Sequence, residues 1–506
     1  MTPDTTLTAG SQGLPERTDV LVVGLGVTGA GVALDAASRG LDVVAVDAFD
    51  VAWGTSRWSS KLVHGGLRYL AKGQVGVAHE SAVERGVLMT RTAPHLTHAM
   101  PMVIPLTDAV SRQQGVLAMQ GLRAGDLLRA AARTPRSLLP RPRRLSVEET
   151  VAMVPTVSRR GLRGALLSYD GQLEDDARLV LAIARTAASR GARIITRARA
   201  VQVTGDGAVV RDELSGETTE IRARAVVNAA GVWAGQVVPG LKLMPSRGTH
   251  LVVRADALSG TDAAVSAPVP GTVNRFVFTL PQPEGVAYVG LTDEPAAGEI
   301  PDVPTAAASE VEFLLETINS ALATPLTRAD ILSTFSGLRP LLAAEGSSAD
   351  LSRKHAVLTS DTGVITVVGG KLTTYRKMAE DAVDAAVSGR GLVAGPCLTG
   401  DLPLVGAAPR DLLAAVDAPA RLVRRYGTEA PLVLDDAVSR TGRTPGELLE
   451  PVTATVPVSR AELLWGVTHE GALDVDDLLE RRTRIGLVPD DRTAAEEAAG
   501  EALKLA

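Results

Sequence analysis

The chain has one cysteine, Cys397, among 506 residues. That excludes an internal disulfide, a C-x-x-C redox pair and a cysteine-built zinc or iron-sulfur centre, and it suits a reducing cytosol. Lysine is scarce too, seven of 52 cationic residues. Arginine is therefore the habitual cation, a lone arginine says little about a phosphate site, and a lysine in a glycine turn says more. The opening MTPDTTLTAGSQGLPER lacks the basic start and apolar stretch of a secretory leader, so residues 1–17 are expected to form a flexible tail. A net charge of −6 offers no general attraction to nucleic acid, and no such partner is expected. His79, His95, His98, His355 and His469 show no metal-ligand spacing with acidic neighbours, so no metal site is expected.

What is present is an ordinary soluble composition, 45% hydrophobic and 22% charged, in a chain long enough for roughly two to four structural units. Val20 to Ala37 is apolar enough to suggest a membrane span, but Gly24, Gly26 and Gly29 divide it, and Asp19 and Asp35 would be costly in a bilayer. VLVVG reads as a buried parallel strand. Val27, Ala30, Leu34 and Ala37 recur at helical spacing, Gly40 suits a left-handed cap, and LDVVAVD begins the next strand. The three glycines match G-x-G-x-x-G, in which the missing side chains admit a tight turn, a pyrophosphate and close helix packing. Asp47, 18 residues after Gly29, stands where a carboxylate accepts ribose hydroxyls. This βαβ unit is a dinucleotide site; the motif does not separate FAD from NAD.

Beyond it lie GTSRWSSKLVHGGLRYL, SYDGQLEDDARLVLAIARTAASRGA, VVNAAGVWAG, RGTHLVV, YVGLTDE, FSGLRPLL, VVGGKLTTYRKMAEDAV and ELLWGVTHEGALDVDDLLERRTRIGL. In this order the segments resemble the FAD-dependent glycerol-3-phosphate dehydrogenases of the D-amino-acid-oxidase-like flavoprotein superfamily, over roughly residues 18–490. The resemblance implies FAD, held through Gly24, Gly26, Gly29, Asp47, Thr55, Ser56, Ser60, Lys61, Val201 and Gly370. By residue type alone, Thr55 to Ser60 suits a phosphate or the polar edge of a flavin, with a solvated serine-rich loop as the alternative, and Val201 is equally an ordinary core-strand residue. His64 is expected near the flavin, with a covalent link left open.

The resemblance also implies oxidation of sn-glycerol 3-phosphate to dihydroxyacetone phosphate. Such chemistry needs a base at the hydroxyl and cations for a dianion, with no metal. It places His250 as base, with Arg339 and Lys371, beside the substrate, and adds Arg68, Tyr69, Arg353 and Thr373 as substrate contacts. An α-glycerophosphate oxidase using oxygen and a flavin-dependent amine or amino-acid oxidase are the alternative activities.

The expected fold mixes α/β and α+β: a Rossmann-like FAD-binding domain from separated segments, 18–107 with 171–245 and 360–392, and an antiparallel-sheet substrate domain, 108–170 with 246–359. A C-terminal helical domain spans 396–506, where Arg481 to Arg484 (RRTR) resembles a family motif and otherwise reads as a solvated or inter-domain salt-bridge cluster. The family-implied electron acceptor is a membrane quinone. Residues 109–144, with eight arginines against one aspartate, read either as a contact with an anionic bilayer or as a cover for the substrate domain. The expected setting is cytoplasmic, with peripheral attachment to the inner face of the plasma membrane and a homodimer as candidate contexts.

Overall fold

The computed structural model describes residues 5–505, apart from 12, 71–72, 109, 273–274, 297 and 344–353. Two sheets organise it. The first runs Thr8–Ala9, Arg193–Thr196, Val43–Val46, Arg17–Val23, Thr218–Asn228, all parallel, with Ile365–Val368 joined in parallel to the last. Antiparallel strands Gly207–Asp212, Ala198–Thr204 and Ala356–Thr359 extend it. Strand alternation sends Val20 and Val22 to one face and Leu21 and Val23 to the other, and both faces are covered, which is why the run is continuously apolar. Helices Val27–Ser38, Asp176–Ser189 and Tyr375–Arg390 share the first face.

The apolar stretch that resembles a membrane span is thus strand and helix. Gly24 takes φ +104°, open only to glycine at low cost, and a Cβ on Gly29 would lie 1.8 Å from the Gly24 carbonyl oxygen. The helix therefore begins as close to the strand as backbone atoms permit.

The second sheet is mostly antiparallel. Its central strand, Ser246–Arg254, pairs with Val286–Gly290 on one side and Ile331–Arg339 on the other, so that His250 stands opposite Gly290 and Phe335. Leu251 and Val253 pack with helix Ala308–Asn319 behind the sheet, while Val252 belongs to the opposite face, and with it Gly248 and His250. RFVFTL and GVAYVGLT form the antiparallel pair Phe276–Pro281 and Val286–Gly290 around their turn.

Two sequence expectations need correction. The tail is not loose over residues 5–11: Thr8 and Ala9 pair with Ile195 and Thr196, Leu7 is buried, and Ser11 donates its backbone N–H to Asp212. A free parallel edge at Arg193–Thr196 supplies the partner. The strand Thr97–Pro105, expected with the first sheet, pairs over its whole length with Ala165–Leu173 and belongs to the second.

From Arg410 onward the chain is helical, ending in Pro489–Leu505. Arg481 to Arg484 lie where these helices meet the rest of the chain, with Arg482 on Asp50 at 2.5 Å and Arg484 on the Arg57 carbonyl at 2.8 Å. The salt-bridge reading of RRTR holds.

Gly29→Ala should cost about 3 kcal/mol or more, because the collision is with backbone rather than with a movable side chain. Denaturant unfolding measures it, and an unchanged midpoint would show that the turn has room to spare.

Candidate active site

A cavity of about 710 Å³ starts at the glycine turn, where Gly24, Gly26, Val27 and Thr28 present the N-terminal end of helix Val27–Ser38, and continues between the two sheets. At a helix N-terminus, backbone N–H groups and the dipole favour an anion. Asp47 lines the same end; its carboxylate accepts from the N–H of Leu25 at 2.7 Å and of Phe49 at 2.9 Å. Burial pushes its pKa up to about 6, against the pull of those two bonds. Val201, on the strand Ala198–Thr204, edges the cavity beside Arg199.

The hydroxyl segment crosses from one sheet to the other. Ser56 Oγ accepts the Val27 N–H at 2.9 Å, Thr55 Oγ1 donates to the Leu338 carbonyl at 2.6 Å, and Ser60 Oγ lies 2.8 Å from His250 Nε2. All three hydroxyl residues line the cavity. Lys61 does not: its ammonium sits 2.8 Å from Asp176, buried beside the Tyr288 and Phe335 rings. Burial pushes the Lys61 pKa down, and Asp176 opposes it. The sequence expectation of a cofactor contact by this ammonium therefore does not match its placement.

At the far end the cavity is lined by His250, Arg339, Gly370, Lys371 and Thr373. His250 is buried and stacked on Phe335, 4.6 Å between centroids at 13°. Nδ1 is buried with no hydrogen-bond partner among the described residues, which leaves Nε2 as the nitrogen able to exchange partners. Burial first, then the charges of Arg339 and Lys61, holds the ring down to about 3, so it is neutral near pH 7.

Arg339 crosses Gly248, where a Cβ would come within 2.2 Å of Nη2. Its Nη1 reaches Ser246 Oγ and Asp293, each at 3.2 Å. Lys371 donates to Ser81 Oγ at 2.5 Å and stands 4.0 Å over the Tyr69 ring, so Tyr69 supports the lysine without itself lining the cavity. Thr373 Oγ1 accepts the His64 backbone N–H at 3.2 Å. Arg68 is placed by its backbone on the short helix Leu67–Leu70, and Arg353 lies outside the described residues.

Sequence reasoning missed several residues here. Phe49 and Trp53 are stacked at 4.5 Å and line the cavity with Trp233. Asp170 receives His64 Nδ1 at 3.1 Å, the Gly65 N–H at 3.1 Å and Arg85 at 2.5 Å. Burial would raise its pKa, but Arg85 and His64 prevail and hold it near 2. The signal for Asp170 was its place in SYDGQLEDD; nothing in the sequence marked the aromatics.

Residues 19–376 match the FAD dependent oxidoreductase family, and residues 397–506 match the C-terminal domain of alpha-glycerophosphate oxidase. Glycerol-3-phosphate dehydrogenase 1 of Mycobacterium tuberculosis is 53% identical over 482 residues, covering 94% of this chain and 92% of the relative. The mitochondrial glycerol-3-phosphate dehydrogenase of Arabidopsis thaliana is 34% identical, over 94% of this chain and 80% of the relative. The X-ray structure of the glycerol-3-phosphate dehydrogenase from Bacillus halodurans complexed with FAD shares the fold at TM-score 0.72 and 28% identity, covering 98% of this chain and 92% of that one. The chain belongs to the FAD-dependent oxidoreductases and, within them, to the glycerol-3-phosphate dehydrogenases.

FAD is the cofactor. The cavity fits it: a side-chain-free turn at a helix N-terminus suits a pyrophosphate, a buried carboxylate suits ribose hydroxyls, and the passage continues to the substrate end.

In the flavin-free protein, Asp47 makes stability depend on pH. Its folded pKa, about 6, exceeds its usual 3.8, so its contribution is complete below 3.8 and is lost as pH rises through 6. Asp47→Asn should remove a decline of roughly 3 kcal/mol across that window. Urea unfolding of the apoprotein at several pH values reads this; parallel curves for the two proteins would refute it.

Proposed function

We propose that the chain oxidises the secondary alcohol of sn-glycerol 3-phosphate to dihydroxyacetone phosphate and delivers the electrons to a quinone. The observation that carries this reading is that one cavity joins the glycine turn to His250, Arg339 and Lys371. A proton acceptor and two cations then face a single cofactor. The substrate named for the mycobacterial and plant relatives is the one such a set suits.

FAD, when bound, supplies the hydride acceptor. His250 supplies the base: the substrate hydroxyl takes the place of Ser60 as donor to Nε2, and its proton passes to that nitrogen as the C2 hydride leaves. Burial is the larger cause of the lowered imidazole pKa and Arg339 the second; a phosphate dianion beside Arg339 offsets that second part, so substrate binding strengthens the base. Arg339, Lys371 and Thr373 orient the substrate, with Arg68, Tyr69 and Arg353 as further contacts carried over from the resemblance. Gly24, Gly26, Gly29, Asp47, Thr55, Ser56, Ser60, Val201 and Gly370 hold the cofactor.

Among the described residues no helix is long and apolar enough to cross a membrane, so a quinone must be met at the surface. Helix Arg112–Ala131 offers one. At 100° per residue, positions 112, 116, 123 and 127 fall on one face, and Val116 and Leu127 there are 63% and 71% exposed. Arg133, Arg136 and Arg141 follow it, also exposed. Apolar side chains ringed by arginine suit an anionic bilayer on the cytoplasmic side. Oxygen is the rival acceptor, since the C-terminal match is to an oxidase's domain.

Anaerobic glycerol 3-phosphate should bleach the flavin absorbance. His250→Ala should slow bleaching by 10²–10⁴-fold on the order usual for a lost base, with FAD retained; unaltered kinetics would remove His250 from this role. Turnover with a quinone analogue should exceed turnover with oxygen, and the reverse would make the chain an oxidase. Co-sedimentation with phosphatidylserine liposomes should be lost in an Arg112→Gln, Arg123→Gln double variant; undiminished binding would reject the helix as the contact.

A further inference from the structure

We propose that the C-terminal helical domain positions the cofactor from outside the cavity: Arg481, Arg482 and Arg484 clamp the segment Asp47–Lys61, and so determine how tightly FAD is held. No described residue beyond Met378 lines the cavity, so any effect of this domain on FAD has to pass through another part of the chain. The proposal rests on FAD as the cofactor and not on the identity of the substrate.

The segment needs holding. It carries Phe49, Trp53, Thr55, Ser56 and Ser60 of the cavity wall, yet its regular structure is a single 3-10 turn, Thr55–Arg57. Ala52 and Lys61 adopt left-handed backbone, φ +61° and +54°, which is strained for non-glycine residues. Such a stretch keeps one shape only when its surroundings impose it.

Asp176 holds the Ser59–Lys61 end, and around Asp50 the imposing contacts come from the C-terminal domain. Asp50 is buried and receives Arg482 through both oxygens, at 2.5 and 3.0 Å, and Arg481 Nε at 2.6 Å. The Arg481 guanidinium also lies 4.8 Å from the Trp53 ring centre. Arg484 donates to the Arg57 carbonyl at 2.8 Å and covers the Trp58 ring at 4.9 Å. The arginines are themselves fixed within their own domain. Arg482 donates to the Glu470 carbonyl at 3.1 and 2.7 Å, and Arg481 also pairs with Asp477. A planar donor fork meeting a buried carboxylate through two bonds sets orientation as well as distance.

The same two parts of the molecule are joined by a second ion pair that leaves the segment alone, Arg185 with Glu429 at 2.7 and 3.0 Å. It separates a positioning role from general adhesion. Arg482→Gln should weaken FAD binding by the apoprotein at least tenfold and shift the visible flavin band, with Arg482→Lys partly restoring both; Glu429→Gln should change affinity less than twofold. Equal weakening in Arg482→Gln and Glu429→Gln, or wild-type affinity in Arg482→Gln, would overturn the proposal.

Removing one partner of a buried pair is strongly destabilising, so a wild-type measurement guards against a variant that does not fold. Along a urea gradient, FAD release by the holoenzyme should coincide with detachment of the C-terminal domain, followed by protease cleavage between residues 396 and 409. FAD retained after detachment would overturn the proposal as well.

Discussion

Asp176 is fully buried at the start of helix Asp176–Ser189, and its charge has to be met by whatever surrounds it. Lys61 meets one oxygen at 2.8 Å; the Ser59 backbone and hydroxyl meet the other at 2.9 and 2.7 Å. A carboxylate left bare there would cost several kcal/mol, so the chain near Ser59 is not free to choose another course. Ser60, between these two anchors, is thereby presented to His250. The contact between hydroxyl and imidazole is a consequence of where a helix N-terminus was buried.

The same reasoning assigns different work to cations that look alike in sequence. Lys61 neutralises an internal carboxylate and stays out of the cavity, whereas Lys371 lines the cavity and holds its ammonium over Tyr69. Arg339 is aimed by Asp293 and Ser246 and given room by Gly248, and its charge helps keep the buried His250 neutral. Arg339 therefore sets positive charge next to a neutral imidazole, the pairing on which the proposed chemistry rests. Entry of a dianion changes both at once, because the charge that balances Arg339 also makes protonation of the imidazole cheaper.

How much of this was legible in the sequence follows from the range of the interactions. Gly24 and Gly29 were readable because their constraint is local, a turn angle and a contact five residues apart. Asp47 was readable for a similar reason, through its spacing from the turn. His250, Arg339 and Lys371 needed the resemblance, since nothing in RGTHLVV or FSGLRPLL tells that the two strands are neighbours in register. The placement of the Lys61 side chain is not legible in the sequence, because it stands among cavity-lining residues while its partner lies 115 positions away. Docking of residues 5–11 depended on a strand edge near Ile195, and the role of Asp170 on an arginine at 85, pairings that periodicity does not encode.

The position of His250 within its sheet constrains its motion as well as the chemistry proposed for it. His250 occupies the strand flanked by backbone ladders on both sides, opposite Gly290 and Phe335, and its ring is stacked on the latter. Shifting it would break hydrogen bonds to two neighbours and slip the register of residues that alternate between the helix-covered face and the cavity. The helix Val27–Ser38 packs on the first sheet, and the strand Ser246–Arg254, which carries His250, belongs to the second. What joins them is the segment Asp47–Lys61, bonded at Ser56 to the helix, at Thr55 to the strand Ile331–Arg339 and at Ser60 to His250. The distance between the two ends of the cavity is accordingly a property of that segment, and it can be no better defined than the buried carboxylates, Asp50 and Asp176, that fix the segment at either end.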